Sequence, residues 1–151
     1  MKAVLQRVTH AQVVVEGELI SKIDNGFLIL LGVEQNDTKE HADVLSKKIS
    51  GMRVFEDENG KMNLSLSDTN GSVLVISQFT LLADCRKGRR PSFVNAGAPD
   101  MANELYEYFC ERIKMDGIEN VRKGVFGADM KVSLLNDGPV TILLDSKELI
   151  R

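Results

Sequence analysis

The chain has 151 residues, 43% hydrophobic and 27% charged, with twelve glycines and three prolines, the size and balance of one folded domain over residues 1–151 rather than of a disordered, collagenous or repeat chain. Nineteen Lys and Arg against twenty-two Asp and Glu leave a net charge of −3, which argues against DNA or a surface coated for bulk nucleic-acid binding, although a local basic patch could still meet phosphates. The first twenty residues carry Arg7, His10, Glu16 and Glu18, so no signal-like apolar stretch opens the sequence and the expectation is a cytoplasmic protein.

The opening reads as strands at Lys2 to Val8, Gln12 to Glu16 and Glu18 to Ile23 around Gly17. Asn25-Gly26 then turns into the apolar run Phe27 to Val33, which is far shorter than the roughly 20 residues a membrane span needs and is expected to be a strand covered on both faces. Asp37 with Glu40 has the pattern of a capping box, and Ala42, Leu45, Ile49 and Met52 recur at helical spacing, predicting an amphipathic helix closed near Gly51. Strand-like Arg53 to Phe55 and turns at Asn59-Gly60 and Asn70-Gly71 lead to the apolar strand Ser72 to Ser77. Pro99 can open a second helix, built on Leu105, Phe109 and Ile113 and ended before Gly117. Two closing strands follow, Asp129 to Leu135 and Val140 to Asp145, joined by Asn136-Asp137-Gly138-Pro139. The fold class is α/β (α+β), a mixed, largely antiparallel sheet with two main helices.

The chemistry is marked by a shortage. Only His10 and His41 are available as imidazoles, neither linked by a motif to a nucleophile, and a surface or packing role suits each better. HExxH, CxxC, Walker and GxGxxG patterns are missing, which removes the usual support for a metal or a nucleotide cofactor. Cys110 falls on the second helix; Cys85 sits beside the basic segment Arg86-Lys87-Gly88-Arg89-Arg90, where it is either a thiol activated by nearby charge or a small residue leaving a strand. The basic segment itself is either a solvated loop or a focused phosphate contact. Two segments at strand ends stand out: Ser77-Gln78-Phe79-Thr80-Leu81, which couples three hydrogen-bonding side chains to an aromatic, and Asn136-Asp137-Gly138-Pro139-Val140-Thr141, in which a proline follows an ordinary hairpin pair.

Together these two segments resemble the paired signature of the D-aminoacyl-tRNA deacylases, formerly D-tyrosyl-tRNA deacylases. The likeness extends to Gln6-Arg7-Val8, Gly60-Lys61-Met62-Asn63, Gly88 to Phe93 and Phe126-Gly127-Ala128-Asp129-Met130, nearly the whole chain. It implies a barrel-like sheet and a homodimer that cleaves the ester joining a D-amino acid to the 3′ end of tRNA, without cofactor, metal or membrane. Its active site would lie between subunits: Ser77, Gln78, Phe79 and Thr80 on one wall, and the turn of Gly138, Pro139, Val140 and Thr141, with Pro139 cis and Arg7 holding it, entering from the partner. Arg86, Lys87, Arg89 and Arg90 are the candidate tRNA contacts.

An aminoacyl ester is already activated, so positioning and backbone N–H groups around Phe79 and Thr80, with the terminal ribose 2′-OH organising the water, could suffice. D-selectivity would then come from crowding by the main chain at Gly138 and Pro139, and glycyl-tRNA would be cleaved as well. The alternatives are an esterase using Thr80 or Cys85 as nucleophile, which would turn over free esters, and a non-catalytic tRNA-binding module, against which the 5% aromatic content speaks.

Overall fold

The structure is a computed structural model that describes residues 1–150. In chain order it contains β1 (Lys2–Val15), β2 (Glu18–Ile23), β3 (Gly26–Gly32), α1 (Lys39–Gly51), β4 (Phe55–Glu56), β5 (Met62–Leu64), β6 (Ser72–Ser77), α2 (Pro99–Met115), β7 (Val121–Lys123), β8 (Lys131–Asp145) and the single turn α3 (Ser146–Leu149). The main sheet runs β2-β1-β3-β6-β7, with β8 on the other side of β1, while β4 and β5 form a separate hairpin. β1 is antiparallel to β2, β3 and β8, whereas β3–β6 and β6–β7 are parallel. The sheet is therefore mixed.

The long first strand serves two cores. Ala3 and Leu5 on β1 join Phe27, Ile29, Val73 and Val75 in a core covered by Leu45 and Ile49 of α1 and by Tyr106, Phe109 and Ile113 of α2. Beyond Arg7 the buried residues of β1 become Val8, Ala11 and Val13, which pack with Ile23, Leu28, Leu74 and Ile76 on the opposite face of the sheet. Val132 and Leu134 of β8 close over this second cluster, curling the sheet into a nearly closed barrel. Burial on both faces is why β3 reads as one continuous apolar run.

Three local expectations are corrected. The predicted break between Val8 and Gln12 is absent, because β8 pairs along β1 from Lys2 to Val14 and keeps it a single strand. The first helix is capped by Thr38, whose N–H donates to His41 Nδ1 at 2.9 Å; Asp37 instead turns inward, 2.7 Å from the Met1 ammonium, because a buried carboxylate is held better by a full opposite charge than by a helix end. The two closing strands are one strand, β8, both halves of which pair with β1 in the same direction, so Asn136 to Pro139 is an extrusion within a strand and not a hairpin.

Candidate active site

The site is built where two buried parallel strands stop. Leu31 of β3 and Ser77 of β6 lie side by side in register, and the Gln78 N–H extends the ladder by donating to the Leu31 carbonyl at 2.8 Å. The chain then makes one 3₁₀ turn, Phe79–Leu82, in which the Leu81 N–H donates to Gln78 O and the Ala83 N–H to Thr80 O. The N–H groups of Phe79 and Thr80 lead this turn, ahead of any turn carbonyl that could accept them. Gly32 makes the arrangement possible: a Cβ there would lie 2.7 Å from Leu82 Cδ2 and 3.0 Å from Gln78 O.

A cleft of about 550 Å³ opens over the strand ends, with Ile76, Ser77, Gln78 and Phe79 along one side and Tyr106 and the segment Phe126–Met130 along another. The Tyr106 hydroxyl donates to Val75 O at 2.7 Å and its ring lies 6.0 Å from that of Phe126; burial pushes the phenol well above its ordinary pKa, so it stays a neutral donor. Phe79 is 57% exposed and meets the edge of Phe93 at 5.0 Å. Thr80 does not line the cleft; its hydroxyl accepts from Gln78 Nε2.

Among the described residues, the cleft lining contains no histidine and no cysteine. His41 is engaged at the α1 cap and His10 lies exposed on β1. Cys110 is buried in α2, where burial pushes its thiol up to about 12, and Cys85 is in the exposed loop outside the cleft. Asp129 is the one carboxylate in the lining and is exposed, 3.1 Å from Lys131.

The second motif sits elsewhere. Gln6 pairs with Thr141 and Val8 with Asn136, so Arg7 alone stands opposite four extruded residues, Asp137, Gly138, Pro139 and Val140. The Gly138–Pro139 peptide bond is cis. Arg7 is 6% exposed and donates from Nε to Asp137 O at 2.9 Å and from Nη1 to Val54 O at 2.8 Å, tying the extrusion to the segment that enters β4. None of Gly138, Pro139, Val140 and Thr141 lines the cleft of their own chain.

The basic segment is an exposed loop clasped at its base by paired main-chain bonds between Asp84 and Ser92 at 2.7 and 2.9 Å. Arg86 is spent inside it, 2.7 Å from Asp84, and this guanidinium holds the Asp84 carboxyl down at about 2. Lys87, Arg89 and Arg90 are exposed, with no ion pair among the described residues. The Phe79–Phe93 contact places this loop's exit at the mouth of the cleft.

A family model described as D-Tyr-tRNA(Tyr) deacylase matches residues 4–145. The chain belongs to that family. It is 56% identical over 149 residues to a D-aminoacyl-tRNA deacylase of Thermosipho africanus and 55% identical over 148 residues to one of Koribacter versatilis, each match covering 98–99% of both chains. Among solved structures it is similar to a c-Myc DNA unwinding element binding protein, 44% identical with a TM-score of 0.90 over 96% of this chain and 98% of that one. A probable eukaryotic D-amino acid tRNA deacylase shares the fold, with a TM-score of 0.82 at 17% identity over 95% and 98%.

For a deacylase-family chain, the walls formed by Tyr106 and Met130 were not singled out as site residues from sequence. Tyr106 falls between the core positions Leu105 and Phe109, and a tyrosine on a helix face this apolar signals a polar tip aimed at a buried partner.

Proposed function

We propose that this chain hydrolyses the ester joining a D-amino acid to the 3′ end of tRNA, using main-chain groups and the terminal ribose in place of a side-chain nucleophile. As a member of its family it is a D-aminoacyl-tRNA deacylase, a hydrolase of aminoacyl-tRNA esters. The observation that supports the mechanism is the pair of N–H groups at Phe79 and Thr80 beside a cleft lined by no imidazole or thiol. In the reaction, water adds to the ester carbonyl and these N–H groups take the negative charge that develops on its oxygen. The neighbouring 2′-OH orders the water and relays a proton, taking one from the water as it gives its own to the departing 3′ oxygen while the acyl bond breaks, so the acid and the free ribose diol are left. An activated ester asks no metal or cofactor of such a site. Thr80 is poorly suited to act as nucleophile, since its hydroxyl is held by an amide and no base adjoins it.

Selectivity for handedness comes from the extruded turn. Since Gly138 and Pro139 do not reach their own cleft, a second copy supplies them, which makes the working unit a homodimer with each turn in the other's cleft. The flanking residues suit this: Leu135 is 48% and Leu143 is 76% exposed on β8 beside the turn. Main-chain oxygens of Gly138 and Pro139 receive the substrate's amino group and crowd the place an L side chain would take, while D side chains point outward. Glycyl-tRNA, with nothing to exclude, is cleaved too.

The tRNA backbone is met by Lys87, Arg89 and Arg90, with Arg86 shaping the loop. No further patch is required, which fits an acidic chain. On this reading the chain acts on RNA ends in the cytoplasm, with no DNA or membrane partner. The test is incubation of the purified protein with matched D- and L-tyrosyl-tRNA. D-tyrosyl-tRNA is deacylated and L-tyrosyl-tRNA is spared; equal rates contradict the reading.

A further inference from the structure

A turn that discriminates by shape must itself be held in shape, and Arg7 hydrogen-bonds only its first residue, through Asp137 O, while its Nη2 packs beside Gly138. The last residue is held by a different side chain. Asn136 Oδ1 accepts the Val140 N–H at 2.8 Å, and Asn136 Nδ2 donates to Val140 O at 3.2 Å and to Thr141 Oγ1 at 3.1 Å. The amide orientation is fixed by chemistry, since only an acceptor can face the Val140 N–H. The side chain therefore satisfies both main-chain groups of Val140 at the point where the β1–β8 register jumps from Gln6 opposite Thr141 to Val8 opposite Asn136.

The hold on Val140 extends to the selective residues. A Cβ on Gly138 would lie 2.8 Å from Val140 Cγ2 and 3.0 Å from Val140 N, and the φ of Gly138 is +144°, so Val140 is folded back against Gly138 and any shift of one moves the other. Arg7 and Asn136 grip opposite ends of the same four residues.

We propose that Asn136 is a positioning residue for D/L discrimination, acting through Val140 as a side-chain substitute for the strand ladder. This rests on the reading that the turn sets handedness. It also explains the two ends of the motif: Asn136 and Thr141 bind each other across the extrusion, so the segment closes on itself without a hairpin.

The experiment compares the parent with Asn136→Ala and Asn136→Asp by three readouts: hydrogen exchange at the Val140 amide, kcat/KM on D- and L-tyrosyl-tRNA, and thermal unfolding. In Asn136→Ala, Val140 exchange rises by about tenfold or more and the D/L ratio of kcat/KM falls by a similar factor, as expected for loss of a hydrogen bond that positions a group outside the reacting atoms. Asn136→Asp keeps an acceptor for the Val140 N–H but loses the donor to Val140 O and Thr141 Oγ1 and sets a second carboxylate oxygen against that carbonyl, so it folds with Val140 protection and the D/L ratio both lowered, between the parent and Asn136→Ala. Unchanged Val140 exchange in Asn136→Ala, or faster exchange with an unchanged D/L ratio, overturns the proposal. If the parent itself shows no D preference, the deacylase reading has failed, and the link to handedness fails with it; Val140 exchange then still decides whether Asn136 holds the turn.

Discussion

The two motifs sit on opposite kinds of support. Ser77 to Thr80 leaves a parallel strand pair buried on both faces, where Val73 and Val75 are fully inaccessible and Gly32 leaves room for the turn to rest on the next strand. Asp137 to Val140 leaves the outermost strand, flanked by exposed leucines, and is held by the side chains of Arg7 and Asn136. On the proposed reading, a wall that presents fixed N–H groups draws its rigidity from packed main chain, whereas a turn that enters a second copy's cleft has to protrude and be braced by hydrogen bonds. Substitutions near the first should act through displacement of the turn, and those near the second through release of a brace.

The largest effect is expected at Arg7. Arg7→Ala leaves the carbonyls of Val54 and Asp137 without their charged donor, costing about 2–4 kcal/mol of stability by denaturant unfolding and abolishing D-tyrosyl-tRNA turnover, with Arg7→Lys failing to restore it because one ammonium does not reproduce the guanidinium fork. Turnover by Arg7→Ala near the parental rate would show that the turn needs no such brace. Next comes Gly32→Ala, whose Cβ pushes on Gln78 O and Leu82; it should cost about 1–3 kcal/mol and, by moving the N–H pair, lower kcat by one to two orders of magnitude. Thr80→Ala keeps the N–H and loses only the hydroxyl, so kcat should stay within roughly tenfold of the parent; a dead but folded variant, or a trapped acyl-threonine, would place the chemistry on the side chain.

The smallest effects belong to the loop. Replacing Lys87, Arg89 or Arg90 by Ala should each reduce the log–log salt slope of tRNA binding by about 0.7–0.9, whereas Arg86→Ala should change it less because Arg86 is already paired with Asp84. The Asp84 carboxyl is held at about 2, below its ordinary value, by Arg86, so the Arg86–Asp84 ion pair contributes in full above about pH 4 and is lost as pH falls through the lowered value. An Asp84 titration near 4 by NMR would break the assignment of Arg86 to structure rather than to RNA.

Much of this architecture was legible before the structure. Ser72–Ser77 and the helix from Pro99 are found where apolar runs and helical spacing place them, because both are buried deeply enough for pattern to dominate. The continuity of β8 was not legible: Asp-Gly-Pro is local turn chemistry, and only the length of β1, able to pair with both halves, converts a hairpin signal into an extrusion. The α1 cap was misplaced for a related reason, since the buried ammonium that draws Asp37 inward is thirty-six residues away in sequence. At the site, both motifs could be read from the chain, but Tyr106, Phe126 and Met130 meet Gln78 only through topology. That the two motifs do not meet within one chain was equally invisible to composition and spacing.

The direct test is subunit mixing. One variant carries a damaged cleft, Gly32→Val, and the other a shortened turn lacking Gly138 and Pro139; each is inactive alone on D-tyrosyl-tRNA. Unfolding and refolding them together at equal concentration should restore roughly a quarter of parental activity, because half of the dimers are mixed and each of these holds one intact cleft facing one intact turn. No recovery, with mixed dimers verified by mass, would contradict the claim that the turn works in a neighbouring chain.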